Sequence, residues 1–269
     1  MRAISSLVFL IFIVSFSAVA KNAEFPGRSL YLDVKYIELA DLAKEFKDVI
    51  IIDVRSKYEF DTLHIKNALH IAINSPTYIS EIEALQKANP NKKIVTYCNG
   101  KTCMKSYDAV RKCQRQGIKN VVAYDAGIMD WARAHPDLAV LLGQSPMDPK
   151  RLIGKADFQK HLLDSDAFID AARNDKNAII IDARDPLQRE GIALFMGLES
   201  RASLRETEEM GRLIETAARQ NKTMYIYDEA GKQVEWLMYR LEDRAVKRYY
   251  FMKGGMNEYF KKLRLEMTN

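Results

Sequence analysis

The chain has 269 residues, more than one domain of ordinary size holds, and 48% of them are hydrophobic, enough to bury a sizeable core. Its 41 Lys and Arg against 36 Asp and Glu exclude a disordered or fibrous chain; the net charge of +5, with no basic block, suits small anions and argues against nucleic acid as a partner. Three cysteines are too few for a disulfide scaffold, and their odd number leaves at least one thiol unpaired within the monomer.

At the amino end, Arg2 precedes an apolar run from Leu7 to Phe16 and the small-x-small triplet Ala18-Val19-Ala20. This pattern predicts a signal peptide over residues 1–20, cleaved before Lys21, and an exported, periplasmic protein with no stable membrane insertion. Ser5, Ser6, Ser15 and Ser17 make the run too short for a span, which needs about 20 apolar residues.

A β-branched run, Val49-Ile50-Ile51-Ile52, then leads into Asp53-Val54-Arg55, the pattern of a strand buried on both faces of a parallel sheet. Helix-like periodicity over Tyr78–Ala88 precedes a strand at Lys93–Tyr97, and a second helix over Met104–Gln116 precedes a strand at Asn120–Tyr124. Pro136, Gly143, Pro146 and Pro149 interrupt regular structure, which predicts two domains, 21–145 and 146–269. Beyond the boundary, Arg151 to Asp170 has no evident counterpart in the first half, and then Ala178-Ile179-Ile180-Ile181 leads into Asp182-Ala183-Arg184.

The second Asp-x-Arg is one of three landmarks that recur in register. Tyr97-Cys98 lies at the same offset from Asp53 as Tyr227-Asp228 from Asp182, to within one residue, and Gly127 lies as far beyond Asp53 as Gly255 beyond Asp182, again to within one. Each half is therefore expected to be a small α/β unit, a parallel sheet flanked by helices.

The same residues carry a family resemblance. Asp53-Val54-Arg55 followed by Glu59-Phe60 and His64-Ile65, the loop Cys98-Asn99-Gly100-Lys101-Thr102-Cys103, and the run Gly127 to Trp131 resemble the motifs of rhodanese-like sulfurtransferases in their tandem-domain form. The resemblance is strong in the first half. In the second it rests on the Asp-x-Arg and Gly254-Gly255 ends, with Gln188, Arg189 and Glu190 in place of the rest and no His-Ile turn.

Cys98 stands at the end of a buried strand before a helix, where open α/β sheets bind ligands. The loop Asn99, Gly100, Lys101, Thr102, Cys103 and Met104 is expected to bind the donor through an inward-turned nest of backbone N–H groups. The helix N-terminus, Lys101 and Lys105 would favour the thiolate over the thiol. Thiosulfate or a polysulfide fits such a site as the anionic donor. The thiolate attacks its sulfane sulfur, and the resulting Cys98 persulfide passes to a thiol, to a cyanide-like acceptor or to a protein acceptor. A carrier that loads once, holding sulfur or another chalcogen oxyanion, is the alternative.

Other residues have blander expectations. Cys103 is open to a disulfide with Cys98, to sulfur relay or to packing at the helix start, with packing favoured. Cys113 is expected in the core with Tyr107 and Val110, and Trp131 likewise. The resemblance implies that Asp53 and Arg55 hold the loops beneath the site together rather than react, and His64, a lone His in a His-Ile turn, is expected to be hydrogen-bonded scaffold. No metal or other cofactor is proposed, since no Cys/His spacing or Gly-rich phosphate motif is present. Asp228 cannot form a persulfide, so the second half should be catalytically silent. Related phosphatases place Arg six positions after their nucleophile, whereas Met104 stands there in this chain.

Overall fold

The Ile50-Ile51-Ile52 run forms the middle of strand β1 (Val49–Asp53) in a computed structural model that describes residues 24–189 and 193–268. The apolar run and cleavage pattern of residues 1–20, and Glu190, lie outside these residues. Ile51 and Ile52 are buried because β1 has a parallel neighbour on each edge and helices cover the sheet. The protein is mixed α/β, with parallel sheets flanked by helices, and it divides into two units between Leu152 and Ile153.

In the first unit, α1 (Gly27–Leu30) and α2 (Leu39–Lys44) precede β1, and α3 (Lys57–Thr62) follows it. Ser56 caps α3 in a reciprocal box with Glu59, which satisfies two backbone donors at the helix start. Next come β2 (Leu63–Ile65), β3 (Leu69–His70), α4 (Tyr78–Ala88), β4 (Lys93–Tyr97), α5 (Lys105–Arg115), β5 (Val121–Tyr124), α6 (Gly127–Ala134) and β6 (Ala139–Leu141). The sheet order is β3-β1-β4-β5, all parallel, and β2 pairs antiparallel with β6. Helix α5 buries Ser106, Tyr107, Ala109, Val110 and Cys113, one face at helical spacing, against the sheet core that also holds Cys98. Trp131 is fully buried and its indole N–H donates to the Leu138 carbonyl at 3.0 Å.

The second unit runs α7 (Lys155–Gln159), β7 (Leu162–Leu163), α8 (Ser165–Asn174), β8 (Ala178–Asp182), β9 (Glu199–Arg201), α9 (Thr207–Gln220), β10 (Thr223–Tyr227), α10 (Val234–Asp243), β11 (Tyr249–Met252) and α11 (Gly255–Met267). Its sheet is β7-β11-β10-β8-β9, all parallel. The two sheets share one strand order once a parallel bridge from Tyr36 to Ala123 is counted as the outer position beside β5. That bridge corrects the expectation that residues 151–170 have no counterpart. Strand β7 takes the place of Tyr36, and α8 follows it as α2 follows Tyr36. Pairings of one or two residues are too short to leave a periodic signal in the sequence.

Register places each Asp-x-Arg beside a loop: Asp53 is paired with Tyr97 and Asp182 with Tyr227, the residues just before Cys98 and Asp228.

Candidate functional site

Cys98 leaves the carboxyl end of β4, a central strand, and is fully buried. Its sulfur lies 3.1 Å from the Cys103 carbonyl oxygen and 3.8 Å from Ser106 Oγ. The loop is held from below. The Arg55 guanidinium makes a buried ion pair with Asp53 at 2.6 Å, donates to the Leu63 carbonyl at 2.6 Å and reaches Asn99 Oδ1 at 3.1 Å. The Asn99 amide in turn donates to Glu59 at 2.7 Å. Burial pushes the Glu59 carboxyl up, but Arg55 and the Asn99 amide outweigh it and the net shift is downward. His64 is equally structural in its contacts: Nδ1 lies 2.7 Å from the Phe60 carbonyl, its ring stacks on Phe60, and burial lowers its pKa.

The loop is also held from above. Gly127 has φ +74°, and a Cβ there would come within 2.3 Å of Gly100 N, so only glycine allows α6 to approach so closely. This approach lets the Ile128 N–H donate to the Cys98 carbonyl at 3.0 Å.

The loop's own residues differ from expectation in three respects. Cys103 does not merely pack: it forms a disulfide with Cys98. The chain doubles back where the Cys103 N–H donates to the Gly100 carbonyl at 2.8 Å, bringing the two Cα atoms to 6.4 Å, within the span a disulfide bridges. That same turn occupies one of the N–H groups expected to face inward. Lys101 is not a cation aimed at the sulfur. Its ammonium pairs with Glu24 and, at 3.1 Å, with Asp130, lies over the Phe25 ring, and has its pKa raised by the Glu24 hydrogen bond despite some burial. Thr102 is exposed, and Met104 packs against the core cluster beside Cys103.

Sequence reasoning passed over the segment before Tyr36. Arg28 is clamped between the Phe25 and Tyr36 rings and paired with buried Asp125 at 2.7 Å and with Glu38 at 2.9 Å. Asp125 also accepts from the Tyr107 hydroxyl at 2.6 Å, so this segment is fastened to the helix that follows the Cys98 loop. These partners lie far apart in sequence and leave no local motif.

The matching loop of the second unit is built differently. Asp182 and Arg184 repeat the buried ion pair at 2.7 Å, Gly255 has φ +59°, and the Met256 N–H donates to the Asp228 carbonyl at 3.0 Å. The Asp228 carboxylate, however, accepts from the backbone N–H groups of Ala230 at 3.1 Å, Gln233 at 2.9 Å and Val234 at 3.3 Å, and from that of Gly231. The inward-facing nest is thus present at the second loop, filled by the chain's own carboxylate. Among the described residues no group of three or more His, Cys, Asp or Glu could hold a metal ion, and no helix is long and apolar enough to cross a membrane.

The first unit has relatives among known proteins. A family model, the rhodanese-like domain, matches residues 37–134. The thiosulfate sulfurtransferase GlpE of Coxiella burnetii is 30% identical over 108 residues, 40% of this chain and 92% of that protein. The chain belongs to the rhodanese-like family. Another relative of this rhodanese-like chain, the tRNA uridine(34) hydroxylase of Aster yellows witches'-broom phytoplasma, is 29% identical over 134 residues, 48% of this chain and 42% of that enzyme's length. Among solved structures, a thiosulfate sulfurtransferase from Pseudomonas aeruginosa aligns over 86% of the rhodanese-like chain and 46% of its own, with 14% identity and a TM-score of 0.35.

Proposed function

We propose that this protein is a sulfurtransferase that moves sulfane sulfur from thiosulfate or a polysulfide to a thiophilic acceptor through a Cys98 persulfide. The observation that carries the reading is Cys98 itself, a cysteine at the carboxyl end of the central strand β4, inside the rhodanese-like region and in a loop braced by Arg55, Asn99 and Gly127. Relatedness to a named thiosulfate sulfurtransferase along almost that enzyme's whole length supports the same chemistry.

With the loop reduced, the Cys98 thiolate attacks the outer sulfur of thiosulfate. The sulfur–sulfur bond of the donor breaks, sulfite leaves with its electron pair, and a Cys98 persulfide remains. A thiol or cyanide then takes the outer sulfur and returns the thiolate. The start of α5 and the backbone of the loop supply positive potential toward the anion, which Lys101, already paired, does not. The second unit is, on this reading, a second rhodanese-like copy that has lost its nucleophile, and the pattern of residues 1–20 supports export to the periplasm.

Mass spectrometry of the reduced, intact Cys103→Ser chain, in which Cys98 is the only thiol of the loop, after thiosulfate or polysulfide tests the assignment: one sulfur atom should be added, on Cys98. Multiple turnovers with cyanide should follow; loading without turnover would make the protein a carrier, and no mass gain from either donor would exclude both. Amino-terminal sequencing of the protein isolated from cells tests export, with Lys21 expected as the first residue; Met1 in a membrane fraction would exclude it.

A further inference from the structure

We propose that Cys103 is a resolving cysteine that discharges the Cys98 persulfide as hydrosulfide, so that the loop also reduces sulfane sulfur. The inference rests on the sulfurtransferase reading of Cys98. Its basis is that the loop brings two cysteines five positions apart to a Cα separation of 6.4 Å and joins them. Nothing in persulfide transfer to an external acceptor requires a second thiol there.

The step balances. The Cys103 thiolate attacks the inner sulfur of the Cys98 persulfide, and a bond forms between the two cysteine sulfurs. The bond between Cys98 Sγ and the outer sulfur breaks, and the outer sulfur leaves as hydrosulfide with the bonding pair and the persulfide's proton. The sulfane sulfur gains two electrons and the cysteine pair loses two, which yields the disulfide that the structure contains.

Re-reduction needs an external dithiol. Exposure directs its attack: Cys98 is fully buried whereas Cys103 is half-buried, so the incoming thiolate meets Cys103 first. The mixed disulfide then forms on Cys103 and Cys98 departs as the thiolate, ready for the next donor. The second dithiol sulfur frees Cys103.

A single-turnover experiment decides it. The full chain is reduced, freed of reductant and mixed with one equivalent of thiosulfate or polysulfide, and the protein mass and released sulfide are followed. Wild type should release about one sulfide per chain and end about 2 Da below its reduced mass. Cys103→Ser and Cys103→Ala, shown to be folded by circular dichroism, should instead retain a gain of about 32 Da and release less than about a tenth of that sulfide. Adding cyanide should remove the retained sulfur as thiocyanate, which confirms it as a persulfide. Wild type that keeps the added sulfur with Cys103 still open to alkylation would overturn the proposal while leaving the transferase reading intact, as would variants that release sulfide like wild type. An unchanged mass in wild type together with no mass gain in either variant would overturn both.

Discussion

The loops after β4 and β10 start from the same place, the carboxyl end of a central parallel strand beside an Asp-x-Arg ion pair, and both are pressed by a glycine of the helix after the next strand. One begins with Cys98, tied to Cys103; the other begins with Asp228, whose carboxylate takes four backbone N–H groups. The scaffold is common to both, so the chemistry is decided by the first loop residue and by what its neighbours leave for it. Helix α10 starts six residues after Asp228 and α5 seven after Cys98, and the additional residue gives the first loop room to double back and bring up Cys103.

The largest difference should appear on exchanging those first residues. Cys98→Ser should lower thiosulfate-to-cyanide transfer by at least about a thousandfold, because an oxygen nucleophile cannot hold the sulfur, whereas Asp228→Ala should leave it within about threefold. Complete loss of transfer in a folded Asp228→Ala protein would show that the second loop takes part.

Next in size is the brace. Arg55→Met and Arg184→Met each strand a buried aspartate, and urea unfolding should show a loss of about 3–5 kcal/mol for either. Arg55 holds the Cys98 loop through Asn99, so Arg55→Met should reduce transfer in the protein that remains folded, whereas Arg184→Met, which acts beside the Asp228 loop, should leave it within about threefold. Equal effects on transfer would remove the distinction between the loops.

The smallest effect concerns pH. Burial depresses the His64 pKa, so the unfolded chain takes up a proton that the folded chain resists. This contribution to stability is present above the ordinary imidazole value of 6.5, falls as pH drops below it, and levels off once the folded imidazole is itself protonated. The urea midpoint measured from pH 7.5 down to about 5 should fall less steeply in His64→Asn. An unchanged slope would mean that His64 is not the group responsible.

Much of the fold was legible because its signals are local. A run of β-branched residues ending in Asp-x-Arg marks a buried strand in both halves, and Gly127 and Gly255 mark close approaches that a Cβ would block. Cys98 was legible from its place after such a strand. The state of the loop was not: a separation of five residues does not say whether two cysteines meet, and that depends on the turn closed by the Cys103 N–H on Gly100. Nor was the commitment of Lys101, whose partners Glu24 and Asp130 come from distant segments. The outer strand positions at Tyr36 and β7 were hidden by their brevity, not by any departure from the pattern.

Asp228 can also be regarded as a ligand on a very short tether. A free anion seeking the N–H cradle of the second loop competes with a carboxylate already in the same loop, whose effective concentration is set by a few covalent bonds. Millimolar thiosulfate, sulfite or phosphate should therefore leave the second loop unchanged. On the proposed reading of Cys98, an aspartate at position 228 thus leaves the second loop without a nucleophile and also keeps its N–H cradle from taking up the anionic donor.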